Sequence, residues 1–123
     1  MTQDSIPALD EPALQRLREL DPSGKNQLLE RVLRAFETSL LRLAPQLREA
    51  ATSGDKDTIR HVVHTLKSSS ASVGALDLAR LCAEIEAAMK QSSPDRLLEL
   101  LAEVDREMGL VLQAVQATRS VPT

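Results

Sequence analysis

The feature of the sequence that most constrains the fold is an apolar side chain at every third or fourth residue along most of the chain. This spacing puts the apolar side chains on one face of an α-helix and predicts that the face packs against other helices. The longest such stretch begins near Lys25 and ends at the break formed by residues 52–55. Its apolar positions are Leu29, Val32, Phe36, Leu40, Leu43, Leu47 and Ala50.

Three further stretches show the same spacing. The first, over residues 56–73, follows Asp55, and aspartate caps helix N-termini well. Gly74 separates it from the second stretch, and a loop with serine and proline separates the second from the third. The apolar positions are Ile59, Val62, Val63, Leu66 and Val73 in the first, Leu78, Leu81, Cys82, Ile85 and Met89 in the second, and Leu97, Leu101, Val104, Met108, Val111 and Val115 in the third.

A short leading helix is predicted from Asp10 to about residue 20, because Asp10 can cap it and Pro12 suits its first turn. Short connections make sequential helices antiparallel neighbours. The sequence therefore predicts an all-α fold, an antiparallel up-down four-helix bundle with a short additional N-terminal helix. We expect a flexible lead-in over residues 1–9, the bundle domain over residues 10–118 and a frayed tail over residues 119–123.

Composition excludes several classes of protein. The 123 residues suffice for one domain with a hydrophobic core. A net charge of -3 and a single aromatic residue, Phe36, argue against nucleic-acid binding, which uses basic patches and stacked rings. The one cysteine, Cys82, excludes an internal disulfide and is predicted to pack in the core. We find no secretion signal and no membrane-spanning stretch, and we expect a cytoplasmic monomer without membrane contact.

His64 is predicted to lie on the solvent face of the helix over residues 56–73. At about 100° per residue, its direction is roughly 140° from the centre of the apolar side chains of that helix. Side chains three, four and seven positions apart share a helix face. The neighbours of His64 on its face are therefore Arg60, His61, Lys67, Ser68 and Ala71.

This arrangement suits phosphoryl transfer. A neutral imidazole is a competent nitrogen nucleophile at about pH 7. Phosphorylation of His64 would add close to two negative charges, which Arg60 and Lys67 can partly neutralise. The phosphoryl group must come from a partner protein, because the sequence contains no glycine-rich phosphate-binding loop.

The other neighbours of His64 leave room for that partner. Ser68 and Ala71 are small, and together with His61 they are the candidate docking residues. A metal site formed by His61 and His64 is the alternative. Metal sites in helical bundles combine histidines with carboxylates in Glu-x-x-His motifs, and no such motif occurs here, so we predict no metal.

The stretch that begins at His64, His-Thr-Leu-Lys-Ser-Ser-Ser-Ala-Ser-Val-Gly-Ala, resembles the signature of histidine-containing phosphotransfer (HPt) domains. The resemblance includes the Gly-Asp turn before it and the run Leu-Ala-Arg-Leu-Cys-Ala-Glu-Ile-Glu after it, and covers roughly residues 10–116. It implies a helical bundle that shuttles phosphoryl groups between receiver-domain aspartates, with His64 phosphorylated and Lys67 as the cation beside it. It also implies that Mg²⁺ belongs to the partner receiver and that this chain needs no cofactor. Ser68 stands where the family usually has glycine.

The residue that orients the imidazole stays open at this point. In an antiparallel pair of helices joined at Gly74, residues ten to thirteen beyond the turn come level with His64. Glu84 and Glu86 both lie in that span, on opposite flanks of the apolar face of their helix. Either carboxylate could hydrogen-bond the unreactive ring nitrogen.

The predicted function is that of a stand-alone phosphotransfer protein, a phosphocarrier and not an enzyme. A receiver domain of a hybrid sensor kinase would donate the phosphoryl group to His64, which would pass it to the receiver domain of a response regulator. The alternative is a non-catalytic helical-bundle adaptor that binds and sequesters a receiver domain or a kinase. The presence of both His64 and Lys67 disfavours the adaptor, because a pure binder needs neither.

Overall fold

The computed structural model describes residues 8–120, with side chains up to residue 119. No strand occurs in this part of the chain, which confirms the predicted all-α class. None of the helices between residues 8 and 120 has the length and apolar character required to cross a bilayer. The helices are α1 (Glu11–Glu19), α2 (Leu28–Ser53), α3 (Lys56–Ser72), α4 (Leu76–Lys90) and α5 (Pro94–Ser120).

The four long helices form a closed cycle of contacts. Helix α2 packs on α3, α3 on α4, α4 on α5 and α5 on α2, while α1 packs on α2. Each long helix therefore turns its apolar face inward and leaves its polar face in solvent. On α3 and α4, every side chain with no exposed surface except Ser70 belongs to a predicted apolar face: Val62, Val63, Leu66, Leu78, Cys82 and Ile85.

Local capping signals set the start of two helices as predicted. The Asp10 carboxylate accepts a hydrogen bond from the backbone N–H of Ala13 at 3.1 Å, at the start of α1. The Asp55 carboxylate accepts one from the backbone N–H of Thr58 at 3.2 Å, at the start of α3. Each bond satisfies a helix N–H that has no partner within the helix.

Helix α2 begins at Leu28 and not near Lys25, because a buried carboxylate holds the preceding loop. Asp21 accepts hydrogen bonds from the backbone N–H groups of Asn26, at 3.3 Å, and of Leu28, at 3.1 Å. These bonds keep residues 21–27 in a compact loop. The spacing of apolar residues could not predict this loop, because the loop is held by hydrogen bonds to one polar side chain, that of Asp21.

The first residues that the structure describes belong to the core. Leu9 exposes only 7% of its surface, although we expected a flexible lead-in over residues 1–9. The backbone N–H of Asp10 donates to the carbonyl oxygen of Gly74 at 2.8 Å, which fastens the start of α1 to the turn between α3 and α4. The remainder of the expected lead-in, residues 1–7, lies outside the described residues.

At the other end, α5 continues to Ser120, beyond the boundary expected at residue 118. The guanidinium of Arg119 pairs with the carboxylates of Glu30 and Glu37 on α2, and so ties down the last turn of α5. The rest of the expected frayed tail, residues 121–123, lies outside the described residues.

Gly74 is confined by both its backbone and its neighbours. Its φ angle of +81° lies in the left-handed region that glycine adopts most readily. A β-carbon at this position would lie 2.7 Å from the Cβ of Ala13 and 3.1 Å from the carbonyl oxygen of Asp10. The absence of a side chain therefore allows α1 to contact the α3–α4 turn.

Gly74→Ala is expected to lower the free energy of unfolding more than Gly54→Ala, its matched control. Both glycines have positive φ, +81° and +76°, so both variants bear the cost of a left-handed alanine, roughly 1–2 kcal/mol. Only at Gly74 does the new methyl group meet packed atoms, which adds roughly 1–3 kcal/mol. Urea unfolding of both variants measures the difference. Equal losses of unfolding free energy in the two variants would mean that α1 shifts to accommodate the methyl group at no cost in stability.

Candidate functional site

His64 lies in the middle of α3 and exposes 70% of its side chain. The opposite face of α3 is buried in the core, through Val62, Val63 and Leu66 among others. Because this buried face fixes the rotation of the helix, the imidazole is presented to solvent from a rigid element. The predicted orientation of His64 agrees with this geometry.

One carboxylate on α4 contacts two side chains of α3. Oε2 of Glu86 lies 3.1 Å from Nδ1 of His64, and Oε1 lies 2.5 Å from Nζ of Lys67. The Glu86 side chain is 20% exposed. These two contacts join the imidazole and the ammonium group to the neighbouring helix.

The contacts also determine which ring nitrogen is free. The hydrogen bond from Lys67, and then the one from His64, lower the pKa of the Glu86 carboxyl group. An ionised carboxylate can only accept hydrogen bonds, so Nδ1 is the protonated nitrogen of the ring. In the neutral imidazole, Nε2 then keeps its lone pair and is available as a nucleophile.

Glu84, the other carboxylate considered from the sequence, faces away from α3. It pairs with Arg80 on its own helix and with Arg96 on α5, the latter at 2.8 Å. Of the two open alternatives, Glu86 is therefore the one in contact with His64.

His64 opens onto a groove of about 370 Å³ between α3 and α4. The ammonium of Lys67 is paired with Glu86, whereas the Arg60 guanidinium is 2.9 Å from the carboxylate of Asp57 on its own helix. The side chains that line the groove with His64 are Arg60, Lys67, Glu86, Met89 and Lys90.

The three candidate docking residues, His61, Ser68 and Ala71, are all exposed. The three consecutive serines, residues 68–70, are divided between surface and core. Ser68 is exposed, Ser69 is half-buried and Ser70 is fully buried. The small residues next to His64 therefore leave an open surface on one side of α3. The buried members of the run allow close packing on the other side.

Cys82 packs in the core, as predicted. It has no exposed surface, and burial raises the pKa of its thiol to about 12, with a smaller contribution from the Glu86 charge. A thiol in this state is protonated and unreactive at neutral pH. Among residues 8–120, no three side chains of His, Cys, Asp or Glu come together as a metal-binding group.

Comparison with known families finds a match to the Hpt domain over residues 31–118. The chain therefore belongs to the Hpt domain family. Its structure is similar to the crystal structure of histidine-containing phosphotransfer protein B (HptB) from Pseudomonas aeruginosa PAO1, with a TM-score of 0.78 and 27% sequence identity. The match covers 94% of this chain and 96% of that one. A comparison with curated proteins gave no match.

These findings confirm the resemblance stated from the sequence and the phosphotransfer role in a phosphorelay. Proteins of this family are phosphocarriers and not catalysts. The Hpt match begins after α1, whereas the structural match to HptB extends over nearly the whole chain.

Sequence reasoning missed two features of the Hpt site. It did not foresee that Glu86 contacts Lys67 as well as His64, and it did not consider Lys90. A signal for Lys90 was present, because it follows Glu86 by four residues and therefore shares its face of α4.

Glu86→Ala is expected to change the tautomer of the neutral His64 ring. The carboxylate that holds the proton on Nδ1 is lost, so the form with the proton on Nε2 becomes the major one. ¹⁵N chemical shifts of the two ring nitrogens, recorded at about pH 9, well above the ordinary pKa of a histidine side chain, report this change. Glu84→Ala is the matched control and should leave the tautomer unaltered. An unchanged tautomer in Glu86→Ala would contradict the assignment.

Proposed function

We propose that Nε2 of His64 accepts a phosphoryl group from the aspartyl phosphate of one receiver domain and passes it to the aspartate of a second. The donor is the receiver domain of a hybrid sensor kinase, and the acceptor is that of a response regulator. The observation that carries this proposal is the contact between Nδ1 and Glu86, which leaves Nε2 free on an exposed ring.

Transfer to His64 exchanges a phosphorus–oxygen bond on the donor aspartate for a phosphorus–nitrogen bond on the ring. The Nε2 lone pair attacks phosphorus, the bond from phosphorus to the aspartyl oxygen breaks, and the aspartate leaves as a carboxylate. The ring becomes an N-phosphorylated imidazolium, and its Nδ1–H stays hydrogen-bonded to Glu86. Transfer to the second receiver reverses these events. The negative charge of Glu86 stabilises the cationic ring in both directions.

The remaining site residues act on the phosphoryl group or on the partner. Lys67 and Arg60 offset part of the charge of the phosphoryl group. His61, Ser68 and Ala71 form the docking surface, and Ser68 adds a hydroxyl donor on a side chain that is still small. The Mg²⁺ that assists the transfer is bound by the receiver, and this chain contributes no cofactor.

The proposed scaffold is an antiparallel up-down four-helix bundle with α1 as an additional N-terminal helix, over residues 10–118. The closed cycle of contacts among α2 to α5 and their short connections support it. A cytoplasmic, monomeric state completes the proposal. The mutual covering of the apolar faces of these helices supports the monomer.

His64→Gln is expected to abolish phosphoryl transfer to this chain. The probe is a set of hybrid-kinase receiver domains from the native host, loaded with radioactive phosphate. On the wild-type chain the label should be acid-labile and base-stable, as expected for phosphohistidine. His61→Gln, which removes the neighbouring exposed histidine, is the control. It should still become labelled, although the loss of a docking contact slows the labelling.

Two results would contradict the proposed transfer to His64. Equal labelling of His64→Gln would place the phosphoryl group on another residue. Binding of a phosphorylated receiver without any label on the wild-type chain would favour the non-catalytic adaptor.

Lys67→Ala is expected to slow transfer about tenfold, because the variant loses a positive charge near the phosphoryl group and the hydrogen bond to the carboxylate that orients His64. The free energy of unfolding should fall by less than about 1 kcal/mol, because the ion pair with Glu86 is partly exposed. Rapid-quench transfer assays and urea unfolding measure the two effects, with Lys67→Arg as the variant that keeps the charge. A large loss of stability with unchanged transfer would assign Lys67 a structural role only.

A further inference from the structure

The three cations that line the groove beside His64 differ in their partners. Nζ of Lys67 is 2.5 Å from Glu86, and the guanidinium of Arg60 is 2.9 Å from Asp57. Lys90 lines the same groove and is exposed, and no carboxylate between residues 8 and 120 forms an ion pair with it. Lys90 is therefore the cation that can bind a new anion without breaking an existing pair.

The direction of the side chains also favours Lys90. Helical side chains lean toward the N-terminus of their helix. Lys90 follows Glu86 by one turn of α4, so its side chain leans back to the level at which Glu86 meets His64. Arg60 precedes His64 by one turn of α3 and leans away from it, toward Asp57.

We infer that Lys90 is a phosphoryl-binding residue, whose ammonium group pairs with the phosphoryl oxygens on Nε2 of His64. This inference rests on the proposed function. A phosphoryl group carries close to two negative charges, and an unpaired ammonium on a flexible stem can move to meet them. Lys67 keeps its hydrogen bond to Glu86 and thereby preserves the orientation of the ring.

The test uses phosphoramidate as the phosphoryl donor, in a His61→Gln background. The chain has two histidines, so this background leaves only His64. In the loading step, Nε2 forms a bond to phosphorus, the phosphorus–nitrogen bond of phosphoramidate breaks and ammonia leaves. ³¹P NMR titration then gives the pKa of the second ionisation of the bound phosphoryl group.

Lys90→Ala is expected to raise this pKa by about half a pH unit, because the dianion loses a neighbouring cation. Lys25→Ala is the matched control, since Lys25 is exposed, lies in the α1–α2 loop and removes the same charge. It should leave the phosphoryl pKa at the wild-type value. Lys90→Arg should restore that value, because it returns a cation to the same place.

Two outcomes would overturn the inference, and they are distinguishable. If Lys90→Ala and Lys25→Ala give the same phosphoryl pKa while a phosphorylated receiver labels the chain with His61 intact but not its His64→Gln variant, Lys90 does not bind the phosphoryl group and the proposed function stands. If that His64→Gln variant, with His61 intact, is labelled as strongly as the wild-type chain, the proposed function fails as well. Circular dichroism of Lys90→Ala verifies that the helices are intact.

Discussion

The carboxylate of Glu86 on α4 accepts hydrogen bonds from His64 and Lys67 on α3, at 3.1 and 2.5 Å. Each oxygen serves one partner, so the imidazole and the ammonium are both fixed relative to a second helix. A partly exposed pair of this kind stabilises a fold by about 1 kcal/mol or less, whereas each fully buried Leu or Val contributes about 1.5–3 kcal/mol. Glu86 therefore contributes little to holding the helices together. Its consequence is chemical, because it decides which ring nitrogen is free.

That contact depends on the register of α3 against α4, which is set at the turn between them. The backbone N–H of Ala75 donates to the carbonyl oxygen of Ser70 at 2.8 Å, and Gly74 supplies the positive φ that closes the turn. The start of α1 is fastened to the same turn by the hydrogen bond from Asp10. A change of one residue in register would rotate Glu86 by about 100° around α4 and break both contacts. A short helix outside the closed cycle thus helps to maintain the site.

The sequence was sufficient for the features that local spacing determines. The apolar periodicity predicted the helices, their buried faces and the exposure of His64, and the capping residues Asp10 and Asp55 were identified correctly. It could not separate Glu84 from Glu86, since the two flank the same apolar face. The choice depends on α5, where Arg96 pairs with Glu84. The burial of Leu9 was not predicted either, because it results from tertiary contacts, which local spacing does not show.

Charge around His64 differs from charge over the chain as a whole. The net charge is -3, yet three cations, Arg60, Lys67 and Lys90, line the groove. The carboxylates of Glu86 and of Asp57, which pairs with Arg60, offset two of these charges, so the groove stays positive. A phosphoryl group of close to two negative charges more than offsets the charge that remains. In the proposed reaction, the positive groove attracts the anionic aspartyl phosphate of the donor before transfer. Once the phosphoryl group has moved to His64, that attraction falls, and the dephosphorylated donor is released more readily.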